Sequence, residues 1–333
     1  MKKYTYIDLF CGAGGLSLGF ENSDFQNIFS LDVEPTFCKT YKKNFPNHNL
    51  INKDISQLTK SEILNLINDF DVDVVVGGPP CQGFSMAGNI GRLFIDDPRN
   101  HLFKEFARVV SIIKPKIFLM ENVARLDIHN KTKTKQEIID VFTEMGYKVE
   151  SKVLNAASYG VPQLRRRIIF IGRKDNGNIV FPQEQFIEKN YQTVEMAISK
   201  LPPLVSGQRS SIPNHVAMNH SEQMLYKMSF VKDGGDRTDI PESIRPQKGD
   251  VRKYIRYSSN KPSICITGDM RKVFHYEQNR ALTVRELARI QSFPDNFIFE
   301  GNSISQQQQV GNSVPPLLAT ALANSVKEML KDD

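Results

Sequence analysis

A thiol, a carboxylate and two guanidinium groups stand at the ends of apolar runs in this chain, and from such a set covalent nucleophilic chemistry can be built. Cys81 lies in Pro79-Pro80-Cys81-Gln82, directly after the apolar run Asp73-Val74-Val75-Val76-Gly77-Gly78. Glu121 follows a second run, Lys116-Ile117-Phe118-Leu119-Met120, and opens Glu121-Asn122-Val123. In Gln163-Leu164-Arg165-Arg166-Arg167, which leads into Ile168-Ile169-Phe170-Ile171-Gly172, strand alternation projects Arg165 and Arg167 to one side. Taken singly, each has a plainer reading. A cysteine is more often a small buried hydrophobe than a nucleophile, a carboxylate can simply end a surface strand, and a basic run is usually a solvated stripe. Cys81, however, sits in a short loop at a strand's end, where an open α/β sheet usually keeps its chemistry.

The elements that must position these groups read as alternating strands and helices. Tyr4-Thr5-Tyr6-Ile7-Asp8-Leu9-Phe10 has the pattern of a buried strand and runs into the turn Cys11-Gly12-Ala13-Gly14-Gly15 and the helical Leu16-Ser17-Leu18-Gly19-Phe20. Glycines let backbone approach a ligand closely, so this unit can cradle a nucleotide. The turn departs from G-x-G-x-x-G and has no lysine, which supports neither a dinucleotide fingerprint nor a phosphate loop; a cofactor without a pyrophosphate fits better. Helices are expected over 35–44, 60–70, 101–113 and 135–145. Alternation of this kind as far as Gly172 implies a mostly parallel sheet. From about 181 to 276 the periodicity dissolves into Pro, Gly, Ser and charged residues. Helices over 283–292 and 316–330 follow, the second with Leu318, Leu322 and Met329 placed to pack on the sheet, while 306–309 reads as a short loop.

At 333 residues and 40% hydrophobic content the chain can bury a full α/β core and carry a smaller second domain. No stretch approaches the ~18 apolar residues of a membrane span. Met1-Lys2-Lys3-Tyr4 passes into a core strand without a signal-peptide apolar region, so a cytoplasmic protein is expected. The four cysteines, at 11, 38, 81 and 265, show no paired spacing, the six histidines join them in no ligand set, and no metal is expected. Formal net charge is +6, and the segment 245–273 holds eight basic residues against Asp250 and Asp269. Beside Tyr254, Tyr257 and Phe274 such a patch suits a polyanion, the alternative being a solvated face. Arg252, Arg256, Arg271 and Lys272 are the candidate groove or phosphate contacts.

In this order, the blocks DLFCGAGG, GGPPCQGFS, ENV, QLRRR, RALTVRELARIQSFPDNF and GNSVPP resemble those of the DNA (cytosine-5)-methyltransferases, over roughly residues 4 to 330. The resemblance implies a Rossmann-like α/β domain, a mostly parallel sheet with helices on both faces, at 1–180. A smaller, irregular target-recognition domain follows at 181–276, and 277–333 returns to the first. It also implies a reaction. Cytosine carbon 5 is too weak a nucleophile to take a methyl group unaided, so a thiolate must first add to carbon 6. Cys81 is implied as that thiolate, with Glu121 sharing a proton with ring N3. Arg165 and Arg167 would contact the base carbonyl and organise the Glu121 region. S-adenosylmethionine is the implied methyl donor and S-adenosylhomocysteine the product. Phe10, Gly12 and Gly14 would line one wall of its pocket, Asp32 would accept from the ribose hydroxyls, and Glu34 is a substitute acid. Asp54 would take the adenine amino group and Ile55 offer an apolar face, with Pro79, Leu102 and Asn312 completing the site. Val33 stands where the family often has an aromatic residue.

A cytosine in stacked duplex DNA is out of a thiol's reach, so the base must be flipped out, at a cost of a few kcal/mol. The polar, glycine-containing stretch 83–100, with Ser85 and Arg92, is expected to close over the flipped nucleotide, and Gln82 or Arg92 to fill the vacated stack. Cys265, in Pro262-Ser263-Ile264-Cys265-Ile266-Thr267, takes a place where related enzymes commonly carry Thr. The implied protein is a monomeric bacterial enzyme, the protective half of a restriction-modification pair, with a cognate endonuclease as partner and no membrane association. The alternatives are a transfer-RNA cytosine-5 methyltransferase and a catalytically inactive DNA-binding accessory protein.

Overall fold

The computed structural model describes residues 3–68, 70–80, 101–247 and 253–331. It forms two compact units, one comprising Met1–Asn155, Arg166–Gln183 and Leu318–Asp333, the other Ala156–Arg165 and Glu184–Leu317.

The first unit is built on a seven-stranded sheet. In chain order it runs β1 (Thr5–Leu9), α1 (Gly15–Asn22), β2 (Gln26–Asp32), α2 (Pro35–Asn44), β3 (Leu50–Asn52), α3 (Lys60–Ile67) and β4 (Val74–Gly77), then α4 (His101–Ile113), β5 (Ile117–Val123), α5 (Lys133–Glu144), β6 (Lys148–Asn155) and β7 (Arg166–Arg173). The strands lie in the order β3-β2-β1-β4-β5-β7-β6, and only β7 runs against its neighbours. This is the mostly parallel, helix-flanked sheet expected from the sequence. β1 and β4 are buried at every position, as strands covered on both faces must be. Connections leave in opposite directions from β1 and β4, so their carboxyl ends flank the switch point where α/β sheets bind ligands.

Local chemistry sets the helix limits. α2 and α4 have the expected bounds. α3 opens on a capping box, with Thr59 and Glu62 each bonding the other's backbone N–H, and stops at Ile67 rather than 70 because Asn68 turns to φ +46°. Between sheet and helices lies a core that includes Phe29, Phe106, Phe118, Phe142 and Phe170, with the Phe118 and Phe142 rings 4.0 Å apart at their centroids.

The second unit has little regular structure: α6 (Val194–Ile198), α7 (Glu222–Phe230), the short parallel pair β8 (Ile255–Arg256) and β9 (Val273–Phe274), α8 (Val284–Ile290) and α9 (Ser303–Asn312). α10 (Pro316–Lys331) carries the chain back into the first unit, where Leu318, Leu322 and Met329 are fully buried. Buried charge organises what lacks periodicity. Arg280 and Glu286, both inaccessible, form a bidentate pair at 2.6 and 2.8 Å, and Arg285 donates to the carbonyls of Pro213, Pro294 and Phe297 at 2.7–3.0 Å. Two expectations are corrected here. Residues 306–309 are helix, not loop: Asn302 caps α9 through Ser305, and the Gln309 amide reaches back to the Glu300 carbonyl. The stretch from 277 to 317, expected in the first domain, belongs to the second unit.

Candidate active site

β1 delivers the chain into a strained turn. Phe10 has φ +61°, Gly12 φ +54° and Gly14 φ +100°. The Gly12 N–H donates to Asp32 Oδ2 at the end of β2 (2.8 Å), while Asp32 Oδ1 accepts from the Glu34 N–H at 2.8 Å. A Cβ at Gly12 would meet nothing within 4 Å, so its backbone faces open space beside a carboxylate. Burial holds Asp32 above the usual carboxylate range. Gly14 also serves packing. A Cβ there would stand 2.4 Å from the Phe45 ring, and the residue is buried, so it starts α1 and admits close approach of that ring.

Other expected cofactor residues divide. Asp54 accepts from the Ser56 N–H and hydroxyl through Oδ1, at 2.9 and 2.8 Å. Ile55 is only 2% exposed and sits in the hydrophobic core. Leu102 is half-buried against that core, Pro79 is buried, and Val33 is exposed. Asn312 is the exposed last residue of α9, in the second unit.

At the carboxyl end of β5, Glu121 Oε1 pairs with Arg167 Nε of β7 at 2.7 Å, both side chains nearly buried. The neighbouring Asn122 donates from Nδ2 to the Pro79 carbonyl at 3.0 Å. Arg165 precedes β7, so strand alternation does not govern it, and it belongs to the second unit. Its guanidinium, 1% exposed, donates to the carbonyls of Gly311 (2.8 Å) and Ile266 (3.2 Å) and to Cys265 Sγ (3.3 Å). Two of the sequence blocks and the 262–267 segment thus meet at one buried cation.

Cys81, Gln82, Ser85, Arg92 and Arg252, and the stretch 83–100, lie outside the described residues. Of the remaining expected DNA contacts, Arg256 is corrected. It is 5% exposed, and its guanidinium donates to the carbonyls of Val231, Met228, Gln278 and His275 and to Asn279 Oδ1. Its donors are engaged in holding loops together. Arg271 is exposed and pairs with Asp269 at 2.9 Å, Asp269 also pairs with Lys253, and Lys272 lies 4.8 Å over the Tyr254 ring. Among the described residues no group of three or more His, Cys, Asp or Glu is arranged to hold a metal ion.

Sequence reasoning missed a buried polar chain beginning at Asp8. This carboxylate is inaccessible; Oδ2 accepts from the Ser17 hydroxyl at 2.7 Å, and Oδ1 has no hydrogen-bond partner among the described residues. Ser17 bonds Tyr41, Tyr41 bonds His48 Nδ1, and His48 Nε2 meets Glu21 at 2.9 Å, near the surface. Desolvation pushes the Asp8 carboxyl up to about 7. The available signal was an acid inside an otherwise apolar strand.

Comparison with known proteins extends this geometry. Residues 4–328 match the family model for C-5 cytosine-specific DNA methylases. The chain is 64% identical over 325 residues to the Type II methyltransferase M1.HphI of Haemophilus parahaemolyticus, covering 98% of this chain and 87% of that protein. It is 37% identical over 369 residues to the Type II methyltransferase M.DdeI of Desulfomicrobium norvegicum, covering 96% and 88%. A solved prophage-encoded protein of E. coli, described as a DNA modification methyltransferase, superposes with a TM-score of 0.79 at 26% identity, covering 99% of this chain and 100% of that one.

Proposed function

The chain belongs to the C-5 cytosine-specific DNA methylase family, and we propose that it methylates carbon 5 of a flipped-out cytosine in one short duplex sequence by way of a covalent Cys81 adduct. It is a DNA cytosine-5-methyltransferase of the Type II restriction-modification kind. The observation that carries the residue assignment is the Glu121 carboxylate, held at the end of β5 by Arg167 and facing the glycine that precedes Pro79-Pro80-Cys81. Cys81 Sγ adds to cytosine C6 and raises electron density at C5, while Glu121 shares a proton with N3 so that this density is stabilised in the ring. After C5 has gained the methyl group and lost its proton, Cys81 leaves. Arg167 orients Glu121. The carbonyl contacts of Arg165 support a role in tying the second unit's segments together rather than in touching the base.

The residues present fit S-adenosylmethionine. The open backbone at Gly12 admits a close ligand, and Asp32, half-buried beside it, has acceptor capacity for ribose hydroxyls. Phe10, Asp54, Pro79 and Leu102 are proposed to complete that site. When bound, this cofactor supplies an electrophilic methyl group. Duplex DNA is the proposed substrate, with Gln82, Ser85, Arg92, Arg252, Arg271 and Lys272 as proposed contacts. A paired endonuclease, a monomeric state and a bacterial cytoplasmic setting belong to the same reading. Cys81→Ser and Glu121→Ala proteins should bind duplex DNA and transfer no methyl; substantial turnover in either overturns the assignment.

A further inference from the structure

Among the described cysteines Cys11 and Cys38 are buried and Cys265 is half-buried. Methyl transfer as set out above makes no use of Cys265, yet its sulfur is held from two sides. The thiol donates to the Ile266 carbonyl at 3.6 Å, and Arg165 Nη1 donates to Sγ at 3.3 Å. Bonds to the carbonyls of Ile266 and Gly311 fix that guanidinium, which is 1% exposed. Cysteines that react do so as thiolates, in partly exposed and electropositive surroundings. Here a fixed cationic donor stands at the atom that bears the negative charge when the thiol attacks.

Cys265 also lines a cavity of about 180 Å³, together with Lys253, Tyr257, Thr267, Asp269 and Met270. Asp269 is neutralised there by its pairs with Lys253 and Arg271. Tyr257 is 4% exposed, and its hydroxyl has no hydrogen-bond partner among the described residues. A buried hydroxyl without a partner costs free energy, and a short polar group carried on Cys265 would supply one. We propose that Cys265 is a reversible modification site that takes up a short, hydroxyl-bearing thiol by exchange with the corresponding disulfide, and so weakens the hold on duplex DNA. Cys265 gives up its proton and Sγ attacks one sulfur of the disulfide. The S–S bond breaks, and the other half leaves as a thiolate that takes a proton from water. Cys265 is thereby oxidised to a mixed disulfide as the departing half is reduced to a thiol. The cavity walls belong to the basic segment 245–273, so the adduct sits among cations assigned to DNA. This consequence rests on the reading of duplex DNA as substrate.

The test equilibrates full-length Cys81→Ser protein, which lacks the other proposed reactive thiol, with 2-mercaptoethanol and bis(2-hydroxyethyl) disulfide. Peptide masses locate the adduct. It should form at Cys265, reverse with dithiothreitol, and be missing from Cys81→Ser/Cys265→Ser. Tyr257→Phe on the same background keeps the ring and should lower the exchange equilibrium constant about fivefold, the worth of one hydrogen bond. The adduct should raise the Kd for duplex DNA about tenfold at constant salt, as for the loss of one or two phosphate contacts. No adduct at Cys265, or an equilibrium constant unchanged by Tyr257→Phe, overturns the modification site. An adduct that leaves duplex affinity unaltered overturns its control of DNA binding. Unmodified protein that binds no duplex would instead contradict the DNA reading, while the masses and Tyr257→Phe still decide whether Cys265 exchanges.

Discussion

Replacing Asp8 by asparagine should make the protein's stability less dependent on pH between 5 and 8. Asp8 is inaccessible, its Oδ1 lacks a partner among the described residues, and Asp32 adds repulsion, so the ionised form is disfavoured in the native state. The Ser17 hydroxyl bond opposes this but does not cancel it. With a native pKa of about 7 against 3.8 unfolded, the folded chain binds the proton more tightly. That contribution is complete below about pH 4, declines as pH rises, and is lost once pH passes about 7. At pH 5 roughly two units of it remain, on the order of 3 kcal/mol, and at pH 8 almost none. The asparagine side chain keeps an acceptor for Ser17 and never ionises. Urea titrations followed by circular dichroism should therefore show Asp8→Asn gaining about 3 kcal/mol relative to the parent between pH 5 and pH 8. Parallel pH profiles for the two proteins would refute the reasoning, because groups common to both cancel in the difference.

Arg256→Ala should lower stability by roughly 3 kcal/mol or more, since it strips partners from several buried carbonyls, yet leave the salt dependence of duplex binding unchanged; a shallower salt slope would return Arg256 to the DNA interface. Lys272→Ala, removing a half-buried cation over Tyr254, should reduce the slope of log K against log salt by about 1 if it meets a phosphate, as titrations at several ionic strengths will read. Gly19→Ala places a Cβ 2.4 Å from that of Ala319 and should cost about 1–3 kcal/mol by overpacking, seen as a lower Tm by calorimetry; an unchanged Tm would mean that α1 and α10 separate freely.

The sequence disclosed what periodicity and covalent spacing control. The runs that became β1, β4 and β5 were legible because strands covered on both faces must be continuously apolar, and α2 was legible from Pro35 and the spacing after it. Contacts between distant segments were not. Arg256 and Arg271 look alike in a basic run, but only the fold shows that one reaches buried carbonyls and the other pairs at the surface with Asp269. Arg165 and Arg167 share a motif, and the start of β7 at Arg166 separates them. α9 escaped notice because its glutamines show no apolar stripe; their amides instead satisfy backbone groups, as Gln307 does for the Met270 N–H. Asp8 reads as a misplaced charge until its chain of hydroxyls to the surface is seen.

The central claim is methyl transfer to cytosine carbon 5 in a specific duplex sequence, and bisulfite sequencing tests it directly. Unmethylated plasmid and transfer RNA would be incubated together with the protein and S-adenosylmethionine. The account predicts protected cytosines in one recurring DNA motif and none in the RNA. Protection confined to RNA, or none in a folded protein that binds the cofactor, would contradict it.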